Sequence, residues 1–369
     1  MSLLKYIIVN IIGTLLRWIP WPHKTGLIKI GKPNRKSPVI LTCNYYLTVE
    51  RVKRALKDID CYLIVANSRG INVWCAAAGG RFTAYDVINA LKSTRIDKLV
   101  DHRDIILPQL AAVGIEAKII KEETGWNVIW GPVYAKDLPA FIKGGFQKTE
   151  EMREVKFSFM QRMEMAIAWA FPISIIVALT AFLLKSSILP LIALAWTTPI
   201  LTLAIFPLYS RWLTRGVVGF IVTTLIPWSI LSLGLIICYI SVERITLIEL
   251  FKFIMISLAF ILTLSIDLAG ITPTYRSAMF ERLKVIINNS KCSGCGICID
   301  VCPRGCFELN KERDIVNIKE QEKCIQCGAC IIQCPQDALS FKRLNGEVIP
   351  PEVIRRYRLN FTGKHTIRI

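Results

Sequence analysis

Eight of the thirteen cysteines fall in two runs of identical spacing. Cys292, Cys295, Cys298 and Cys302, followed by Pro303, form the first. Cys324, Cys327, Cys330 and Cys334, followed by Pro335, form the second. Thiolates at C-x2-C-x2-C-x3-C-P spacing wrap a [4Fe–4S] cube, and the fourth cysteine of each run belongs to the other cluster. The pattern therefore predicts two clusters. One is held by Cys292, Cys295, Cys298 and Cys334, the other by Cys324, Cys327, Cys330 and Cys302. Zinc ribbons also use C-x2-C pairs, but they need neither the third cysteine nor the Cys-Pro, and here both occur twice. Gly294, Gly296 and Gly328 allow the tight turns that aim backbone amides at the cluster sulfurs. Two clusters in series make a one-electron relay, and free thiolates favour a reducing compartment. Cys306, the ninth cysteine of this region, reads as a small buried residue.

A second candidate lies far from the first. In NSRGINVWCAAAGGRFTAYDVINAL (67–91) a loop follows an apolar strand, and Cys75 then sits among three alanines and two glycines. Small neighbours permit a large planar ligand to approach; a buried structural cysteine is the alternative. His102 reads as structural.

These residues need scaffolds. Runs at 38–43 (PVILTC), 61–66, 97–101 (DKLVD), 116–120 (EAKII) and 127–130 (NVIW) read as strands. Helical patterns lie between several of them, the first opening at Thr48. Apolar strands alternating with helices predict a largely parallel sheet covered on both faces, with ligands beyond the carboxyl ends of its strands. That places the loop after Ala66 at the site. The chain is 53% hydrophobic with mean hydropathy +0.44. Four segments, about 165–184, 188–208, 217–240 and 250–270, are each long enough to cross a bilayer. Prolines 172, 199, 207 and 227 lie within or at the ends of these segments. Asp267 reads as an interfacial residue at a helix end. The net charge of +18 is explained by basic residues beside these spans, and no nucleic-acid motif accompanies it. Arg153, Lys156, Arg162, Arg211, Arg215, Arg276, Arg282 and Lys284 flank one side, whereas the opposite loops carry only Lys185 and Arg244. The positive-inside rule then puts both extramembrane domains in the cytoplasm. The N-terminus lacks a cleavable signal pattern and reads as an interfacial helix.

The predicted organisation is an interfacial helix (1–22), an α/β, Rossmann-like domain (23–150), a four-helix transmembrane region (163–271), a small α+β ferredoxin-like domain (285–345) and a tail (346–369).

NVWCAAAGGRF (72–82) resembles the cap-helix motif of the corrinoid protein of the HgcA/HgcB mercury-methylation family. LTCNYYLTVERVKRAL (41–56), HRDIILPQLAAVGIEA (102–117) and GPVYAKDLPAFIKGG (131–145) agree with it, and the spans and ferredoxin runs extend the resemblance over nearly the whole chain. The α/β part is also similar to the corrinoid-binding domain of the acetyl-CoA-pathway corrinoid iron–sulfur protein. The resemblance implies that Cys75 ligates the cobalt of a base-off corrinoid. Thr42, Asn44, Tyr45, Asn72, Val73, Trp74, Ala76 and Ala77 would be the residues around the cofactor. A thiolate donor makes the trans methyl group more anionic, which suits transfer to an electrophile such as Hg(II), and the clusters supply the reduction that cobalt needs afterwards. The sequence departs from the family in two places. Ala78 and Gly79 stand where the motif has Gly-Lys, and no cysteine follows Cys334 where the ferredoxin partner has a terminal pair. The expectation is thus corrinoid-dependent methyl transfer with weak activity toward mercury. The expected partners are the lipid bilayer, a cytoplasmic methyl-donor protein (a corrinoid or folate methyltransferase) and a low-potential electron donor. The competing expectation is a membrane-anchored electron-transfer ferredoxin whose α/β domain only docks a partner.

Overall fold

The computed structural model describes residues 3–183, 188–241, 245–270, 273–275, 283–310, 312–360 and 363–366. Lys185, Ser187, Arg244, Arg276 and Arg282, which entered the charge argument or border its loops, lie outside the described residues. By contact the chain divides into two units. Met1–Tyr6, Pro20–Val155 and Leu283–Ile369 form one; Ile7–Ile19 and Lys156–Arg282 form the other.

The first unit contains a mixed α/β domain. Its sheet has the order β1-β3-β2-β4-β5, with β1 Gly26–Ile30, β2 Val39–Cys43, β3 Cys61–Ala66, β4 Asp104–Leu107 and β5 Asn127–Trp130. β3, β2, β4 and β5 run parallel, and β1 closes the edge antiparallel to β3. All residues of β2 and β3 are buried. That is the reason these strands are unbroken apolar runs: helices cover both faces of a parallel sheet. After α1 Leu3–Leu15, most of which belongs to the other unit, the helices of this part are α2 Tyr46–Ala55, α3 Val73–Ala78, α4 Ala84–Thr94, α5 Ala117–Thr124, α6 Leu138–Lys143 and α7 Glu150–Arg153. α4 opens with a reciprocal capping box between Thr83 and Asp86, which satisfies two of the orphan amides of its first turn.

Two strand expectations are corrected. Residues 97–101 hold no strand: Ile96–Lys98 is a short 3-10 turn. Ile96 and Val100 are both buried, and their separation of four residues is helical spacing rather than alternation. Residues 116–120 enter α5 instead. Ala-Lys-Ile-Ile-Lys-Glu-Glu is rich in good helix formers, and only Ile120 of this helix is buried. The strand between them, β4, and the edge strand β1 were not among the expected strands. α2 begins at Tyr46, two residues before Thr48.

The same unit contains a small β-rich C-terminal domain. β6 Lys284–Ile287 pairs with β9 Leu339–Lys342, and β10 Val348–Ile349 adds to the other edge of β9. β7 Phe307–Asn310 and β8 Ile315–Ile318 form a hairpin. The two cysteine runs each enter a short helix, α13 Ile297–Val301 and α14 Ala329–Ile332. (α8 to α12 belong to the other unit and are given below.) Both helices start from a left-handed glycine, Gly296 at φ 74 and Gly328 at φ 76, a conformation glycine adopts without strain. The core of this domain reaches beyond residue 345. Ile349 and Ile354 are buried in it with Val285, Ile331, Leu339 and Phe341, and Ile354 lies on α15 Pro351–Arg356.

The other unit is helical: α8 Phe159–Leu183, α9 Ile188–Ala204, α10 Phe206–Tyr209, α11 Gly216–Ser241 and α12 Leu247–Leu268. Among the described residues, α8, α11 and α12 are long and apolar enough to cross a membrane. α9 is bent by 55° from the segment Phe206–Trp212, so this fourth apolar stretch is a broken span or a re-entrant loop. Pro172, Pro199 and Pro227 lie inside α8, α9 and α11, and Pro207 lies at the start of α10. Polar side chains are paired between helices: Thr224 Oγ1 donates to Ser265 Oγ (3.0 Å), Trp228 Nε1 to Ile254 O (3.1 Å) and Trp169 Nε1 to Asp267 Oδ2 (3.2 Å). Asp267 is therefore tied to an indole near the end of its helix. α1 has 13 residues, about 20 Å at 1.5 Å per residue. That falls short of the roughly 30 Å of a hydrocarbon core.

Candidate functional site

The eight cysteines of the two runs line two separate cavities, and each cavity mixes the runs. Cys292, Cys295, Cys298 and Cys334 surround about 360 Å3 of empty space, walled by Ile287, Ile297, Val316 and Leu339. Cys324, Cys327, Cys330 and Cys302 surround about 320 Å3, walled by Val285, Ile325 and Phe341, with Cys306 beside them. Among the described residues no three His, Cys, Asp or Glu side chains converge on a point where a single ion would sit. The sulfurs instead stand around a volume, as a cube with iron at its corners requires. Backbone amides point at four of them: Val316 N–H at Cys292 Sγ (3.5 Å), Ala338 N–H at Cys334 Sγ (3.3 Å), Cys306 N–H at Cys302 Sγ (3.4 Å) and Gln326 N–H at Cys324 Sγ (3.4 Å). Such bonds stabilise negative charge on sulfur and tune a cluster's potential.

Burial pushes the Cys298 thiol up to about 12 and raises those of Cys327 and Cys330. A bound metal is what ionises such groups, so the donor set fits the cluster chemistry. Cys306 differs from the rest. Hydrogen bonding to the sulfurs of Cys302 and Cys324, ahead of burial, raises its pKa, and the same bond draws Cys302 down to about 7. Cys306 thus keeps its proton beside the sulfurs of Cys302 and Cys324, and it is buried, in line with its reading from sequence.

Cys75 lies on α3, after the carboxyl end of β3. Of the three cysteines in the α/β domain it alone is exposed. Cys43 and Cys61 are buried, and burial raises both thiols, that of Cys61 to about 12. Asn72 caps α3 and holds Cys75 at two points. Its Oδ1 accepts from Cys75 N–H (2.9 Å), and its Nδ2 donates to Cys75 Sγ (3.3 Å). The cap leaves Cys75 in the first turn of the helix with its sulfur turned outward.

The other residues singled out from sequence have different surroundings. Ala76 and Ala77 are wholly buried. Their small size serves protein packing: a Cβ on Gly114 would come within 2.6 Å of the Cα, Cβ and O of Ala77. The segment against α3 is the short 3-10 helix Gln109–Val113 and the residues after it. Val73 and Trp74 are buried on the same helix. Thr42 is buried within β2, and Asn44 and Tyr45 are buried just after it. Asn44 is an organiser of loops. Its Oδ1 accepts from Ser68 N–H (2.9 Å), Ser68 Oγ (3.0 Å) and Gly70 N–H (2.9 Å). This fixes the turn at Arg69 (φ 61) and Gly70 (φ 69), where a Cβ on Gly70 would meet Pro22 N at 2.7 Å. Trp21 stacks on Tyr46 (ring centroids 4.6 Å apart) and its N–H donates to Gly70 O (2.9 Å). The structure therefore gathers the 42–45 and 67–75 segments at one end of the sheet, with Cys75 exposed there. His102 is engaged at both ring nitrogens, Nε2 with Ser37 O (3.0 Å) and Nδ1 accepting from Asp104 N–H (3.2 Å).

Contacts between the cluster domain and the α/β domain were not legible as a site. Gln333, beside Cys334, donates to Ala112 O (2.7 Å) and Ile115 O (2.6 Å) and accepts from Ala117 N–H (3.2 Å). Lys148, its side chain 2% exposed, bonds to Gln109 Oε1 (3.1 Å), Gly131 O (3.3 Å) and Asp300 O (2.8 Å), and pairs with Asp300 Oδ1 (3.0 Å). Arg355 pairs with Asp337 and reaches Glu116 (3.9 Å). Val155 N–H donates to Pro303 O (2.9 Å), and Arg304 Nη1 donates to Val155 O (3.0 Å). Residues 102–117 carried part of the family resemblance, which was the one signal that this segment mattered.

The fold and the two cysteine sites define a class: a chain that joins an α/β domain with one exposed cysteine to a small domain whose eight paired-run cysteines line two cavities, together with apolar helices of spanning length. Comparison with known proteins agrees with both parts. Residues 17–142 match the family described as CO dehydrogenase/acetyl-CoA synthase delta subunit, and residues 291–339 match the 4Fe-4S dicluster domain. The chain is 36% identical over 135 residues to the acetyl-CoA decarbonylase/synthase complex subunit gamma of Methanopyrus kandleri, covering 36% of this chain and 29% of that one. It is 37% identical over 137 residues to the same subunit of Archaeoglobus fulgidus, covering 37% and 28%. With the subunit of Methanocaldococcus jannaschii it shares 33% over 131 residues, covering 35% and 26%. The chain thus spans less than a third of the length of these curated relatives.

Proposed function

We propose that this protein binds a corrinoid at Cys75 and transfers a methyl group from it, and that its own cluster domain keeps the corrinoid reduced. The observation that carries the reading is the exposed Cys75, held by Asn72 on a short helix at the end of a parallel sheet. The match of the surrounding domain to proteins of the acetyl-CoA decarbonylase/synthase complex supports it. When bound, the corrinoid supplies the methyl-carrying cobalt and the two [4Fe–4S] clusters supply single electrons.

The chain's own residues would then act as follows. Cys75 would hold the corrinoid's cobalt through its thiolate, a soft donor matched to a late transition metal. Asn72 Nδ2 donates to that sulfur and fixes its direction. Asn44, Ser68 and Gly70 hold the preceding loop rigid, so Asn72 starts α3 at a defined place. Ala76 and Ala77 let α3 lie flat on residues 109–114. Cys292, Cys295, Cys298 and Cys334 would hold one cluster, and Cys324, Cys327, Cys330 and Cys302 the other.

The acceptor is a methyl-accepting electrophile of the Hg(II) class. Mercury itself is expected to be methylated weakly, because Ala78 and Gly79 alter the cap-helix motif. The methyl donor is a protein of the cytoplasmic corrinoid or folate methyltransferase kind, and a low-potential donor reloads the clusters.

The apolar helices anchor the chain in a bilayer. Their windows are only 17–22% buried, and bare side chains such as Ile176, Leu179, Phe182 and Ile240 would form a large apolar surface in water. The basic residues Arg153, Lys156, Arg162, Arg211, Arg215 and Lys284 beside these helices support a cytoplasmic side for both extramembrane domains. Expression in a non-methylating anaerobe supplied with corrinoid tests the activity. Methylmercury would be measured beside an authentic two-protein pair, with Cys75→Ala as the control. A yield that does not depend on Cys75 would refute the reading.

A further inference from the structure

We propose that Gln333 is the latch that seats the cluster domain on residues 109–117, and that the contact it makes carries electrons from the cluster held by Cys334 into the Cys75 site. The inference rests on the corrinoid reading above and adds the route by which the two sites communicate.

Gln333 has two N–H donors and one carbonyl acceptor, and all three are used across the domain boundary. Its Nε2 donates to Ala112 O and Ile115 O, and its Oε1 accepts from Ala117 N–H. Ala117 is the first residue of α5, and the residue before it, Glu116, gives no side-chain cap. A side chain from the other domain therefore satisfies one of the orphan amides of this helix. Gln333 is 7% exposed, so truncating it strands the buried carbonyls of Ala112 and Ile115 and releases the half-buried amide of Ala117. Such groups are expensive to leave unmade.

Position gives the latch its second role. Gln333 is bonded directly to Cys334, whose sulfur lines the first cavity. The residues it grips are those on which α3 lies: Ala111 and Ala112 are wholly buried, and Gly114 is in close approach to Ala77. A contiguous path of covalent bonds, short hydrogen bonds and packed atoms thus runs from Cys334 through Gln333, residues 112–115 and Ala77 to Cys75. The step it serves is a one-electron transfer. The reduced cluster loses one electron and the cobalt of the bound corrinoid gains it; a reductant of the titanium(III) citrate class restores the cluster.

The test uses the full chain in detergent with both clusters loaded. Gln333→Ala and the near-isosteric Gln333→Glu are compared with the unchanged protein by three readouts: iron and sulfide content, amide hydrogen exchange at Ala117, and the rate at which reduced clusters are oxidised when corrinoid is added. Cluster content should stay the same. Exchange at Ala117 should quicken by about tenfold or more, and cluster oxidation should slow by at least a similar factor. Unchanged exchange with intact clusters would overturn the latch. Faster exchange with unchanged oxidation would overturn the electron route. Loss of clusters in both variants would make Gln333 a core residue of the cluster domain and also overturn the latch. If corrinoid fails to oxidise the clusters of the unchanged protein, the corrinoid reading is what fails, and exchange at Ala117 still decides the latch.

Discussion

The nine cysteines that line or adjoin the two cavities and the single cysteine at 75 are built for opposite purposes. The cluster cysteines are mostly buried or half-buried, with Cys295 alone among them exposed. Each cavity draws three sulfurs from one run and a fourth from the other, so neither can be complete unless both halves of the domain are folded. Cys75 is exposed, and its sulfur accepts a hydrogen bond from Asn72, three residues earlier. Enclosure protects a cofactor that only passes electrons. Exposure leaves a face open for a bulky cofactor and for the partner that must reach it. What joins the two is the segment 109–117, gripped by Gln333 on one side and packed under α3 on the other.

The contrast predicts unequal responses to mutation. The largest concerns the crossed ligands. Cys334→Ala should abolish the cluster of the first cavity, which takes its other three sulfurs from residues 292–298, and spare the one bounded by its own run. Iron should fall from roughly eight to roughly four atoms per chain, with one of two electron paramagnetic resonance signals lost. Loss of the signal that belongs with Cys324, Cys327 and Cys330 instead would show that each run holds its own cluster.

A smaller effect is expected beneath Cys75. Gly114→Ala places a methyl within 2.6 Å of the backbone of Ala77, so α3 must move. Overpacking of this kind costs about 1–3 kcal/mol. Thermal unfolding of the α/β domain should report the loss, and corrinoid affinity should fall with it, while cluster content is unaffected. Full stability and affinity would mean that α3 is not held as tightly as the approach implies.

The smallest effect depends on pH. Burial lowers Lys148, at the join between the two domains, to about 8 from a free value of 10.5. Below about 8 the folded and unfolded chains both hold the proton, and the cost of burying the charge is constant. Between about 8 and 10.5 the unfolded chain still holds a proton that the folded one has released, so stability rises with pH. The gain should be about 1–2 kcal/mol by pH ~9.5. Lys148→Met should remove this slope. A slope that survives the substitution would assign it to another group.

The two sites were not equally legible in the sequence. The clusters' ligand sets follow from local spacing, a one-dimensional feature that the fold preserves. β2 and β3 were legible for a similar reason, since a strand buried on both faces is an uninterrupted apolar run. The segments at 97–101 and 116–120 misled because five residues of mixed polarity fit either period, and only the partners of Ile96, Val100 and Ile120 decide between them. Around Cys75 the small residues were visible but their use was not. Ala76 and Ala77 answer to Gly114, 37 residues further along, a contact no local pattern encodes. Asn44 was picked out as a residue near the cofactor, yet its carbonyl oxygen is spent on Ser68 and Gly70. Gln333 occupies an unremarkable x position beside a cluster cysteine, and its three bonds appear only when the domains are seen together.

The claim on which the rest depends is that Cys75 is the lower ligand of cobalt. Electron paramagnetic resonance of the cobalt(II) state tests it most directly, on protein loaded with a base-off corrinoid, its clusters oxidised and silent. With sulfur below the metal the spectrum should lack nitrogen superhyperfine splitting, and the splitting should appear in Cys75→His, where imidazole takes the same place. Nitrogen splitting in the unchanged protein, or spectra that do not differ between the unchanged protein and Cys75→Ala, would contradict it.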